Sequence, residues 1–219
     1  MAIVGALGVA HLVARYAGAP RVAGVLKPLP IALLAVMVWQ GTPLDGRYST
    51  FVVAGLVCSM VGDVCLLVPR RFVAGLASFL VAHLFYVAAF GVGAHGGAPG
   101  ATLLAPFLAL AAILIAVLWR RVEELRWPVV TYVAVISAMG WQAAVRAAAP
   151  LTPEPSGMLA LVGALVFMTS DALLAFARFI RPFRAADAGV MATYYVAQAL
   201  IALSTTGYGT TAHHAQKLL

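Results

Sequence analysis

Eight apolar runs follow one another along this chain with almost nothing between them, and that succession limits the fold more than any other feature. They cover roughly 1–17, 23–40, 49–69, 72–93, 101–119, 127–148, 157–178 and 187–207. Each is near the ~20 residues a helix needs to cross a hydrocarbon core. The connections are short and rich in Gly, Pro or Arg, as from Gly41 to Tyr48, Gly93 to Gly100 and Ala149 to Ser156. With 63% hydrophobic and 10% charged residues, a soluble fold would lack the polar side chains to cover its surface. The expected fold is all-α: a polytopic membrane protein of about eight transmembrane helices forming one domain over 1–219, with the lipid bilayer as solvent.

The net charge of +7 would suggest nucleic acid in a soluble protein, but here its distribution excludes that partner. Arg15, Arg21, Lys27, Arg70, Arg71, Arg120, Arg121, Arg126, Arg178, Arg181 and Arg184 fall in or beside the first, third, fifth and seventh connections. Only Arg47, Arg146 and Lys217 belong to the other side. The positive-inside rule then puts both termini outside the cytoplasm. The N-terminal stretch has no basic n-region, and its charges follow the apolar residues, which suits a short first span rather than a cleaved signal. High Ala, Gly and Arg usage suits a GC-rich bacterial genome, and hence a plasma membrane. Cys58 and Cys65 lie two helical turns apart, about 10 Å, too far for a disulfide.

The chain also resembles itself. Asp63 precedes Arg70 by seven residues and Asp171 precedes Arg178 by seven, while Tyr86 and Tyr194 each follow their aspartate by 23. Lys27-Pro28 is expected to open span two as Trp127-Pro128 opens span six. Two parallel four-helix halves would give this pattern, with a site near their interface. Chance similarity among Ala- and Leu-rich helices is the alternative.

Asp63 and Asp171 dominate the chemistry, being the only acids deep inside any span. A carboxylate there costs several kcal/mol unless it is paired, solvated or protonated. Each stands about 10 Å before the basic loop that follows it, so the two meet at one depth if spans three and seven pack together. Facing carboxyls in a poorly solvated site cannot both ionise easily, the arrangement of a paired general acid and general base. Inert hydrogen bonds between helices are the plainer reading.

His83 lies mid-way along span four with Tyr86 one turn further on. Tyr194, Tyr195 and Gln198 cluster in span eight, where Tyr194 and Gln198 share a face. Ser59 lies one turn before Asp63 and Ser170 directly before Asp171, each placed to orient its carboxylate. Lys27, near the membrane boundary, is a candidate point charge for a lipid phosphate; snorkelling, interfacial tyrosines and packing serines are the structural alternatives. Asp63, Asp171 and His83 could in principle hold a metal, and His213-His214 could too. No ligand-spacing motif supports either, and neither metal nor other cofactor is expected.

The segment from Ser59 to Phe90, the string GALVFMTSDALLAFARF from Gly163 to Phe179, TYYVAQALIA from Thr193 to Ala202, and KPLP at Lys27 to Pro30 together resemble the lysoplasmalogenase (YhhN-like) family of membrane proteins. The likeness runs from about Lys27 to Ser204, and departs at Ala74, where many relatives are expected to carry His. It implies an eight-helix hydrolase that cleaves the vinyl ether of a lysoplasmalogen to a fatty aldehyde and glycerophosphoethanolamine or glycerophosphocholine. By motif match, the implied site residues are Lys27, Asp63, His83, Tyr86, Asp171, Tyr194, Tyr195 and Gln198. Vinyl ether hydrolysis parallels glycoside hydrolysis, with one carboxyl donating a proton and another activating water; Asp171 as acid and Asp63 as base is the working hypothesis, an order that the sequence does not assign. A proton-coupled carrier would show the same repeats and intramembrane acids, and a lipid-binding bundle without turnover is the third reading. Neither head-group preference nor oligomeric state follows from the sequence.

Overall fold

Apolar stretches broken by Pro, Gly and Arg become, in the computed structural model, a bundle of helices; residues 1–94, 100–183 and 185–206 are described. Arg184, His213, His214 and Lys217 lie outside these residues. The helices are α1 (Ala2–Tyr16), α2 (Pro20–Leu26), α3 (Leu29–Gln40), α4 (Gly46–Leu67), α5 (Phe72–Gly91), α6 (Gly100–Leu118), α7 (Arg126–Ala148), α8 (Ser156–Phe179) and α9 (Ala186–Leu203), with a 3₁₀ turn at Glu123–Leu125 before α7. Counting α2 and α3 as one, seven are long and apolar enough to cross a membrane, while α1 is shorter. Outward faces are apolar: Trp39, Val57, Val61, Val64, Ile113 and Val117 are exposed, and α6 buries only Phe107 and Leu118. That inversion is the signature of a surface solvated by lipid. The protein is an integral, multi-pass membrane protein.

Span two differs from its expected form. Lys27-Pro28 does not open it but interrupts it, seven residues after the helix begins at Pro20. Pro28 and Pro30 have no amide hydrogen to offer the carbonyls one turn back, so the helix breaks. Two side chains bind the backbone on this stretch: His11 Nδ1 is 2.9 Å from the Ala23 carbonyl, which also accepts the Lys27 amide, and the Tyr195 hydroxyl donates to the Lys27 carbonyl at 2.9 Å. Trp127-Pro128 does stand at the start of α7, where a missing amide hydrogen costs nothing. The two strings are therefore not equivalent.

The helix neighbours do follow a repeating order. In the first half α3 packs on α4 and α4 on α5; in the second α7 packs on α8 and α8 on α9. The halves join where α5 meets α7 and where α9 meets α3. Glycine makes room for the contact: a Cβ on Gly62 would stand 2.7 Å from the Phe79 ring, so α4 receives that α5 ring only because position 62 has no side chain.

A polar cluster ties the arginine-poor ends together. Arg146, in the last turn of α7, is buried rather than in a loop. Its Nη1 donates to the Val92 carbonyl at 2.7 Å and its Nη2 to Ser156 Oγ at 3.3 Å, with the guanidinium 3.9 Å above the Tyr48 ring centre. Ser156 in turn donates to the Ser204 carbonyl at 2.6 Å. Arg146 and Ser156 together thus bind the ends of α4, α5, α7, α8 and α9. At that end Asp45 caps α4, accepting from the Arg47 and Tyr48 amides at 2.7 and 3.0 Å.

Candidate active site

The broken span delivers Lys27 into the bundle. Its Nζ lies 3.3 Å from Asp63 Oδ1, and the Tyr194 hydroxyl donates to Asp63 Oδ2 at 2.8 Å. Asp63 is 1% exposed, so a cation and a phenol between them satisfy the carboxylate that burial would otherwise make costly. The neighbouring tyrosines of α9 divide the work: Tyr194 holds the acid, and Tyr195 holds the backbone of the lysine that pairs with it.

Asp171 has a different environment. Tyr132 of α7 donates to its Oδ2 at 2.6 Å, and His83 Nε2 stands 3.5 Å from the same oxygen, too long for a good hydrogen bond. The His83 ring is enclosed by Tyr132 and Phe167, with ring centres 5.3 and 4.7 Å away. Among the described residues Lys27 has no counterpart beside Asp171. Spans three and seven do not pack along their lengths; Asp63 and Asp171 instead line one cavity between them, with Lys27, Phe79, Asp187 and Tyr194. It encloses about 590 Å³, counted with its mouth.

A second hollow begins at Asp171. It is an apolar groove between α5, α6, α7 and α8, of about 640 Å³ counted with the open space at its mouth, lined by Phe72, Leu118, Tyr132, Val133, Ala175 and others. Arg178 lines the groove and lies 4.7 Å over the Phe72 ring. Asp171 and Leu174 are the residues common to both hollows. A titratable group therefore stands where a polar chamber meets an apolar one.

The remaining candidate residues take less direct positions. The Tyr86 hydroxyl donates to Gln198 Oε1 at 2.7 Å, and both are fully buried behind the cavity. Ser59 is fully buried beside the Tyr86 phenol, not on Asp63. Ser170 donates to the Val190 carbonyl at 2.9 Å and does not orient Asp171. Lys27 is engaged with an aspartate instead of waiting for a phosphate. Sequence reasoning passed over Tyr132, which resembles an interfacial tyrosine near a helix start, and over Asp187, which follows a basic loop. Among the described residues no group of three or more His, Cys, Asp or Glu side chains converges as a metal site would require.

Residues 22–205 match the model of the YhhN family. The chain belongs to that family. Among the relatives of this family member, a protein named lysoplasmalogenase TMEM86B from Homo sapiens is 39% identical over 83% of this chain and 74% of its own length. The TMEM86B protein of Mus musculus is 36% identical over 84% of this chain and 75% of its own length. A membrane protein named YhhN from Escherichia coli O157:H7 is 33% identical over 87% of this chain and 90% of its own length. No solved structure matches.

Proposed function

We propose that this protein is a lysoplasmalogenase, hydrolysing the vinyl ether of a lysolipid to a fatty aldehyde and a glycerophospho head group. The observation that carries the reading is the position of Asp171 at the junction of the polar cavity and the apolar groove. In a lysoplasmalogen the vinyl ether is the joint between polar and apolar parts. A lipid with its head group in the cavity and its alkenyl chain in the groove presents that bond to Asp171. Relatives named lysoplasmalogenase support the same substrate class.

The charges around the two acids suggest their order. Asp63 has Lys27 to balance a carboxylate; Asp171 has a phenol and a buried imidazole but, among the described residues, no paired lysine or arginine. Asp171 is then the carboxylic acid and Asp63 the base. Tyr132 occupies Asp171 Oδ2, leaving Oδ1 to carry the proton. Protonation of the alkenyl β-carbon leaves an oxocarbenium ion at the carbon bonded to oxygen. Water adds there and gives its proton to Asp63. The hemiacetal then breaks its bond to the glycerol oxygen, which takes a proton, and the carbonyl forms. Two carboxyls with opposite protonation do the same in glycoside hydrolysis.

The orientation that fits is the basic ends of the spans in the cytoplasm of a bacterial plasma membrane, so that the substrate enters from the inner leaflet. Aldehyde release from a defined lysoplasmalogen in detergent, with no gradient, separates this enzyme from a carrier. Purified Asp63→Asn and Asp171→Asn variants are each expected to lose about 10²–10⁴-fold in rate, the usual worth of a general acid or base. Normal turnover by either folded variant contradicts the two-carboxyl mechanism.

A further inference from the structure

The rim of the polar cavity holds an ion pair that the reaction does not use. Asp187, in the first turn of α9, lines the cavity with Lys27, Asp63 and Asp171. Its Oδ2 accepts from Arg15 Nη2 at 2.7 Å and Arg15 Nε at 3.0 Å, across from the end of α1. Both side chains are more than half exposed, 52% and 55%. A pair this open to its surroundings adds little to stability, so exchanging its partners costs little.

The charge inside the cavity creates a need that this pair can meet. Among the described lining residues Lys27 is the one cation, and it is bound to Asp63. A phosphodiester entering there meets three carboxyl side chains and no uncommitted positive group. Arg15 supplies one through Asp187, with a planar fork suited to two phosphate oxygens. We propose that Arg15 and Asp187 are the head-group subsite: their mutual pair opens, Arg15 takes the phosphate, and Asp187 takes the ammonium of a zwitterionic head group. The swap keeps net charge constant. The ligand class rests on the lysolipid reading above.

The subsite also sets a preference. A carboxylate satisfies a primary ammonium through its N–H donors. A trimethylammonium has none and is best held by aromatic faces. The aromatic rings among the lining residues, Phe79 and Tyr194, pack edge to face on each other with centres 5.8 Å apart, and Tyr194 is bonded to Asp63. An ethanolamine head group is favoured over choline.

The test is binding of uncleavable 1-O-alkyl lysolipids to the full chain in detergent micelles, by calorimetry. The ligands are the glycerophosphoethanolamine, glycerophosphocholine and glycerophosphate forms, with alkylglycerol as the control without a head group. Arg15→Gln is expected to weaken all three phosphates about tenfold and leave alkylglycerol alone, with Arg15→Lys intermediate. Asp187→Asn is expected to weaken the ethanolamine lipid and to leave glycerophosphate unchanged or tighter. Equal weakening of every ligand, alkylglycerol included, marks a purely structural pair and overturns the proposal, as does unchanged affinity throughout. Aldehyde release by the wild-type protein, measured in parallel, reports on the hydrolase reading separately, because these ligands contain no vinyl ether.

Discussion

Asp63 and Asp171 occupy like positions in the chain yet differ in what surrounds them, and the difference is one residue. Lys27 stands beside the first; among the described residues no lysine or arginine pairs with the second, which has the buried His83 ring 3.5 Å away. The tyrosines sharpen the contrast, because Asp63 takes its phenol from α9 and Asp171 takes its own from α7. Tyr86, the sequence counterpart of Tyr194, turns to Gln198 instead. Tyr132→Phe therefore removes a hydrogen bond from the proposed acid without emptying the space. Net loss of one such bond is about 1 kcal/mol, so kcat for aldehyde release should fall several-fold to tenfold with KM little changed. A change in KM alone would mean that Tyr132 binds lipid rather than orienting Asp171.

At the scale of elements, the break between α2 and α3 decides whether the site can form. A continuous helix would carry Lys27 on a regular turn; the two prolines free it, and His11 and Tyr195 hold the opened backbone. Replacing both, Pro28→Ala with Pro30→Ala, gives back two amide hydrogens and favours an unbroken span, since proline costs about 3 kcal/mol in a helix interior. The expected result is an unfolding temperature in detergent that holds or rises, while aldehyde release drops tenfold or more. A stable variant with full activity would show that the break does not position Lys27. These elements also show how far a sequence can be read. Seven spans and the shorter first helix were legible as apolar runs because ~20-residue apolar runs have one solution in lipid. The proline break was visible as letters, but read as a boundary it lost its meaning. Arg146 was counted with the loops because its neutral partners, Val92, Ser156 and the Tyr48 ring, come from three other helices.

Across the whole molecule, the two hollows make the site fit an amphiphile. The apolar groove is walled by α5, α6, α7 and α8, so its width depends on how the second half packs against the end of the first. Ala175 of α8 lines it with a small side chain. Ala175→Phe should fill that space and discriminate by chain, lowering kcat/KM for long alkenyl chains about tenfold relative to short ones, a reasonable effect for a few displaced methylenes. Competition between chain lengths in mixed micelles measures it. An equal loss for all chains would place the alkenyl tail elsewhere.

Composition and periodicity alone determined that this is a helical membrane protein, where its spans run, and that two buried acids stand out, because lipid tolerates few other solutions and makes a buried carboxyl conspicuous. Family likeness added the chemistry to be expected of them. Only the tertiary structure decided which partner each acid has, that they share a cavity without their helices packing, and that Asp171 alone touches the apolar groove as well. Those facts depend on side chains brought together from residues up to 172 positions apart, as Arg15 and Asp187 are. Hydrophobic runs fix where a helix crosses the membrane; which face it turns inward and which neighbour it meets there are set by close packing, by buried polar groups, by glycines such as Gly62 and by a break at two prolines.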